Sequence, residues 1–162
     1  MAATNIYLKL DGLDGESMDD DHKDWIEVQS FAWGVSNPAS FSIGQGGQST
    51  QAHIAEITIS KHMDKASVAL FKASTTGKHI GSGTLSCMKL DGDSRVEYMK
   101  VDFTDMMVSS VQWSGSGSDQ AVHEHVALAF AEFKQAYKLQ QDAGSAGGNT
   151  DFGYNIQTSK AT

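Results

Sequence analysis

Short stretches in which apolar and polar residues alternate, separated by turns containing glycine, make up most of this chain, the pattern of strands that bury one face. Ile6, Leu8 and Leu10 share a face of a first strand, which ends at the turn-prone pairs Asp11-Gly12 and Asp14-Gly15. Between Trp25 and Gly34 the odd positions Gln29, Phe31 and Trp33 oppose the even positions Val28, Ser30 and Ala32. Large side chains thus take one face and small ones the other, and Phe31 and Trp33 are expected in the core. Ile57 and Ile59 mark a further strand. Leu85 with Cys87, Val96 with Tyr98 and, after a change of parity, Val101 with Phe103 read as strands joined by an Asp91-Gly92 turn. The parity change predicts a bulge. Phe152, Tyr154 and Ile156 alternate as a last strand that has to pair with an earlier one.

Three segments depart from this rhythm. Residues 63–76 carry the one clear helix, where Val68, Phe71 and Lys72 follow a helical period, Asp64 is placed to cap the start and Gly77 to end it. Residues 122–139 read two ways: Val122, Val126, Phe130, Phe133 and Tyr137 keep helical spacing, while Val122, Val126, Leu128 and Phe130 share a strand face. Propensity, with four alanines, favours helix there. Residues 37–49 are rich in Gly, Ser and Gln around Phe41 and Ile43, which predicts a long extended loop. Long ordered loops in compact domains often bind something.

Composition bounds the function. The 162 residues, 40% hydrophobic and 20% charged, suit one domain spanning 1–162, and no apolar run approaches the roughly 20 residues of a membrane-spanning helix, so stable membrane insertion is not expected. The first residues lack the basic start and apolar stretch of a secretory signal, so export is expected by another route. A single cysteine, Cys87, fits synthesis in a reducing cytosol and a buried structural thiol. The net charge of −8, with scattered Lys and Arg, argues against nucleic acid as a partner.

The sequence carries none of the usual catalytic or metal-binding signatures. Asp14, Glu16, Asp19, Asp20 and Asp21 lack the register of a calcium loop and read as a solvated acidic loop. His123 and His125 flank Glu124 and share a face in a strand, but a third ligand is missing locally. The glycine pairs match no phosphate-binding fingerprint, and no serine has the glycine spacing of a nucleophile elbow. No cofactor, metal or catalytic residue is expected.

In order along the whole chain, the residues resemble one family. The carriers are Ile-Tyr-Leu-Lys-Leu-Asp-Gly at Ile6 to Gly12, Gly-Glu-Ser at Gly15 to Ser17, His22-Lys23, and the run from Ile26 through Ser30 to Ala-Trp-Gly at Ala32 to Gly34. Then follow Ile59-Ser-Lys, Thr76-Gly-Lys-His79, Glu97-Tyr98, Val108-Ser-Ser-Val111, the Gly-Ser-Gly at Gly115 to Gly117 and Gly153-Tyr-Asn-Ile156. This order resembles the haemolysin-coregulated protein family, the inner-tube proteins of bacterial type VI secretion.

The resemblance implies a mostly β fold: a compact β-barrel of two packed antiparallel sheets with one flanking helix, and strand rather than helix over 122–139. It implies hexameric rings stacked head-to-tail into a conduit that carries effectors in its lumen. Spike, sheath and baseplate components are the implied further partners. Assembly is implied in the cytoplasm, with release outside the cell or into a target cell on firing, and no catalysis. The long loop corresponds to one that projects toward the neighbouring ring, so Phe41, Ile43 and Gln45 are expected in ring stacking. Ser30 and Ala32 are expected to face the lumen, where bulk would crowd a carried effector. Some family members continue into toxin domains; this chain reads as a carrier alone. Two other readings stay open: a monomeric glycan-binding β-barrel using Trp25, Trp33 and Trp113, and a small hydrolase using Cys87 or the paired histidines.

Overall fold

Strand pairing is antiparallel throughout the computed structural model, which describes residues 4–42, 45–49, 51–140 and 146–162. In chain order the strands are β1 (Asn5–Leu10), β2 (Ile26–Val28), β3 (Ser30–Ala32), β4 (Val35–Ser36), β5 (Ala39–Ser42), β6 (Gln45–Ser49), β7 (His53–Ile54) and β8 (Ile57–His62). After the helix α1 (Ser67–Thr76) come β9 (His79–Asp91), β10 (Ser94–Ser114), β11 (His123–Gln140), β12 (Ala146–Asn155) and β13 (Lys160–Ala161). The main sheet runs β13-β12-β11-β10-β9-β1-β2, and β8 joins the start of β11 to β3. The circuit from β1 through β2 and β3 to β8 and back along β11, β10 and β9 is therefore nearly complete. The expected barrel is not closed by an unbroken ladder, because β2 and β3 are linked only by the chain at Gln29, whose N–H donates to Ser60 O at 2.8 Å.

That junction inverts the faces. Ile26 and Val28 are buried, then Phe31 and Trp33 turn inward while Gln29, Ser30 and Ala32 are exposed. The expected grouping of Gln29 with Phe31 and of Val28 with Ser30 is corrected by this one-residue break; the contrast of Phe31 and Trp33 with Ser30 and Ala32 holds. The core is built from both ends of the circuit: Leu8 and Leu10, Ile26, Ile57, Leu85, Phe103, Met106 and Leu128 are at most 1% exposed. Each contributes roughly 1.5–3 kcal/mol of apolar burial. Trp33 is half-buried against this core, edge-on to Phe133 with ring centroids 4.9 Å apart.

Residues 122–139 are strand, against their helix propensity, because β11 is held on both sides by β10 and then by β8 or β12. The helical spacing has a structural origin. Asp105 on β10 takes a left-handed φ of 54°, and around the Asp105/Ala131 position both strands flip their faces together. Phe103 and Met106 are both buried, as are Phe130 and Phe133 opposite them, and a step of three between core residues imitates a helix. The bulge predicted near Tyr98 is present as a register shift between Glu97 and Met99. The strand of Phe152 and Tyr154, β12, pairs with an earlier one as expected, β11, but it ends at Asn155, one residue before Ile156, and is not the last, since β13 follows and pairs with it.

The helix begins later than residue 63. Ala66, not Asp64, stands at the N-cap, and Asp64 instead accepts from the Ala66 N–H at 2.9 Å, forming the turn before it. Gly77 ends it as expected, with a φ of 65° that only glycine adopts without strain. The extended loop expected over 37–49 is, in its described residues, largely a hairpin: there β5 pairs with β6 alone, and β4 with β7 forms its root. This arm leaves the main sheet.

Candidate functional site: an exposed face of small residues, the arm and two buried polar clusters

Register brings the expected lumen residues together. Ser30 lies opposite Ser60 and Ala32 opposite Thr58, and Ser60 lies opposite His125 on the other side. Thr58 donates to Ala32 O at 3.3 Å, and Ser60 Oγ lies 2.8 Å from His125 Nδ1. The one acid and one base of these segments, Glu124 and Lys61, are fully buried, so the outer face presents Ser, Thr, Ala and His. His123 does gain a partner, though not His125: β8 brings His62 opposite it, with ring centroids 5.0 Å apart, and His62 lies 2.6 Å from the Gln29 amide. Among the described residues no three His, Cys, Asp or Glu side chains converge to hold a metal ion.

Of the expected stacking residues, Phe41 lies on β5 and Gln45 on β6, at the end of the arm; Ile43 lies outside the described residues. At the root of the arm is an apolar groove of about 410 Å³ lined by Trp33, Val35, Ile54, Phe133, Phe152 and Tyr154. Val35 is 68% exposed in this single chain.

Two buried polar clusters were not legible in the sequence. At the start of α1, Lys61 Nζ donates to Glu124 at 2.8 Å, to Asp64 at 2.7 Å, to Ser67 at 3.2 Å and to His62 O at 3.1 Å. Ser67 and the Trp113 indole N–H also donate to Glu124. Every donor of the ammonium is satisfied, which is the condition for burying a charge.

Below the acidic loop, His22 is buried and stacks on Tyr7 at 4.5 Å. Its Nδ1 lies 3.0 Å from Asp19 and its Nε2 3.2 Å from Ser86 Oγ. Asp19 also accepts from Tyr7 and pairs with Arg95, so the loop is not simply a solvated acidic run: its central carboxylate is almost wholly buried. Burial lowers the His22 pKa below its ordinary value, against the raising effect of the Glu97 and Asp21 charges. The serine, histidine and aspartate order resembles a catalytic relay. The arrangement presents no accessible nucleophile, because Ser86 is 0% exposed and its hydroxyl donates to Glu97 Oε2 at 2.5 Å. Cys87 beside it is buried, with its thiol pushed up to about 11, which suppresses the nucleophilic thiolate. The three tryptophans have separate partners: Trp25 meets His22, Trp33 meets Phe133 and Trp113 meets Phe71. They form no common sugar-stacking platform.

A family profile described as Type VI secretion system effector, Hcp, matches residues 7–137. Protein hcp1 of Pseudomonas aeruginosa is 32% identical over 156 residues, covering 96% of each chain. A solved type six secretion system protein superposes with a TM-score of 0.92 at 36% identity, over 99% of this chain and 100% of the other. Hcp1 from Salmonella typhimurium superposes at 0.83 with 37% identity, covering 100% of both. No helix among the described residues is long and apolar enough to cross a membrane. Profile, sequence and fold agree over nearly the whole length, and the chain belongs to the Hcp family of type VI secretion proteins.

Proposed function

We propose that this chain is a structural subunit of the type VI secretion inner tube. It forms hexameric rings that stack head-to-tail into a conduit, holds effectors in the lumen, and leaves the cell with the tube without catalysing a reaction. The observation that carries this reading is the outer face of β3, β8 and the start of β11, where Ser30, Ala32, Thr58 and Ser60 present small side chains and the neighbouring Lys61 and Glu124 are turned inward. A lumen needs such a wall: low, wettable and without fixed charge to trap a passing protein. The arm supports stacking, since among the described residues β5 and β6 pair with each other alone, and a lone two-stranded hairpin is marginal in water until it packs on a partner. Phe41, Ile43 and Gln45 make that contact. Spike, sheath and baseplate meet the tube's ends and outer wall, and assembly takes place in the cytoplasm before release.

Negative-stain microscopy of the purified chain beside its solution mass tests the reading: rings of six subunits are expected, and a monomer at high concentration overturns it. Replacing residues 37–49 with a short linker leaves rings but removes tubes. Ala32→Trp leaves both and blocks carriage, read as loss of effector co-purification.

A further inference from the structure

The outer face of α1 is unusually apolar for a solvated surface. Val68 is 66% exposed and Phe71 47%, and Phe71 packs on Trp113, itself 41% exposed, with ring centroids 4.8 Å apart. Val122 and Met63 extend the same patch, joined by a hydrogen bond from the Met63 N–H to Val122 O at 2.9 Å. Contiguous exposed apolar surface of this kind marks an interaction site. Lys65, Lys72 and Lys78, all exposed, lie along or beside the helix, in a chain whose net charge is −8.

The complementary shape and charge occur elsewhere on the same chain. In the loop after β1, Ser17 is 1% exposed and the Asp19 side chain is 7% exposed, both anchored beneath, so Met18 between them is forced outward and stands 86% exposed. Gly15 fixes the approach: a Cβ there would lie 2.5 Å from Trp25 O. Around Met18 the exposed Asp14, Glu16, Asp20, Asp21 and Asp24 make the loop acidic. With Ser17 and Asp19 anchored on either side, the backbone at Met18 is already ordered and docking has only the side chain left to fix.

We propose that the face of α1 centred on Phe71 and Trp113 receives the acidic loop of a second copy of this chain, with Met18 as the apolar anchor and Lys65, Lys72 and Lys78 pairing with Asp20, Asp21 and their neighbours. The contact joins two different surfaces, so it propagates from copy to copy as rings and stacks require. It rests on the assembly reading above and supplies one of its interfaces.

The test uses the full chain and follows assembly by sedimentation velocity and microscopy, with melting curves to check folding. Met18→Ser and Phe71→Ser, both at exposed positions, are each expected to weaken self-association at least tenfold. The chain carrying Asp20→Lys and Asp21→Lys, and the chain carrying Lys65→Glu and Lys72→Glu, are each expected to assemble poorly alone and to recover when mixed. Wild-type rings together with unaffected single variants, or a mixture no better than its parts, overturn this contact and leave the tube reading intact. Assembly unchanged in Phe71→Ser, with loss of binding to a different acidic protein, likewise overturns the second-copy assignment. A wild-type chain that stays monomeric removes both.

Discussion

The two buried polar clusters differ in how their polarity is secured. Around Lys61 a full positive and a full negative charge are both sealed from water, and the ammonium meets four acceptors drawn from β8, the turn before α1, α1 itself and β11. Around His22 the central group is an imidazole that stays neutral because burial opposes its protonation. The first cluster fastens a helix to two strands through charge that is already matched. The second fastens a loop to β1 and β9 through a group that acid can charge. The helix surface and the loop surface proposed to meet between copies are thus held by anchors of different kinds, ion pairs under the one and an imidazole under the other.

The largest test breaks the charge pair. Glu124→Ala leaves the buried Lys61 with Asp64 as its one remaining carboxylate and strips the Trp113 and Ser67 donors of their acceptor; it is expected to cost about 3–5 kcal/mol in urea unfolding, whereas Lys61→Met with Glu124→Leu recovers most of that loss. A single-variant loss below about 1 kcal/mol contradicts the anchor role. Next, Gly15→Ala forces a methyl into the Trp25 and Ile26 backbone and is expected to cost about 1–3 kcal/mol, together with a change in the near-ultraviolet signal of Trp25.

The titratable anchor gives a smaller, pH-dependent effect. The His22 pKa is lowered in the folded chain from the ordinary 6.5, so above that value the imidazole is neutral in both states and its contribution is complete. As pH falls below 6.5, the unfolded chain takes up the proton first, and stability declines until the folded pKa is passed. Urea midpoints between pH 7.5 and 5 should therefore fall for the wild type and fall less for His22→Gln. The smallest effect is kinetic: Cys87, walled in beside Ser86, should react with a thiol reagent at pH 8 only after denaturant opens the fold. Rapid labelling of the native chain would show that the wall of the His22 cluster opens.

Legibility followed the range of the interaction. Leu8, Leu10, Ile57, Ile59, Val101 and Phe103 announced their strands because alternation is a local property, and Gly77 announced the helix end because the left-handed turn is decided by one residue. The face of Ser30 and Ala32 was legible as a contrast of side-chain size, yet Thr58, Ser60 and His125 beside it were not, since only register places them there. Asp19 looked like one more acid in a solvated run until the neighbouring His22 turned inward and Tyr7 from β1 and Arg95 from β10 closed over it. Nothing local marks Lys61 and Glu124 as buried either, since they meet only across the β8–β11 register.

By itself the sequence determined the β class, the helix ending at Gly77, the bulge near Tyr98 and, through its ordered resemblance, the family. Local propensity misread the segment that the resemblance gave as strand; ladders on both sides of β11 override it, and the paired flip at Asp105 and Ala131 explains its helical spacing. Tertiary structure alone decided which polar groups are buried, because desolvating a charge is tolerable only where folding gathers its partners from distant segments.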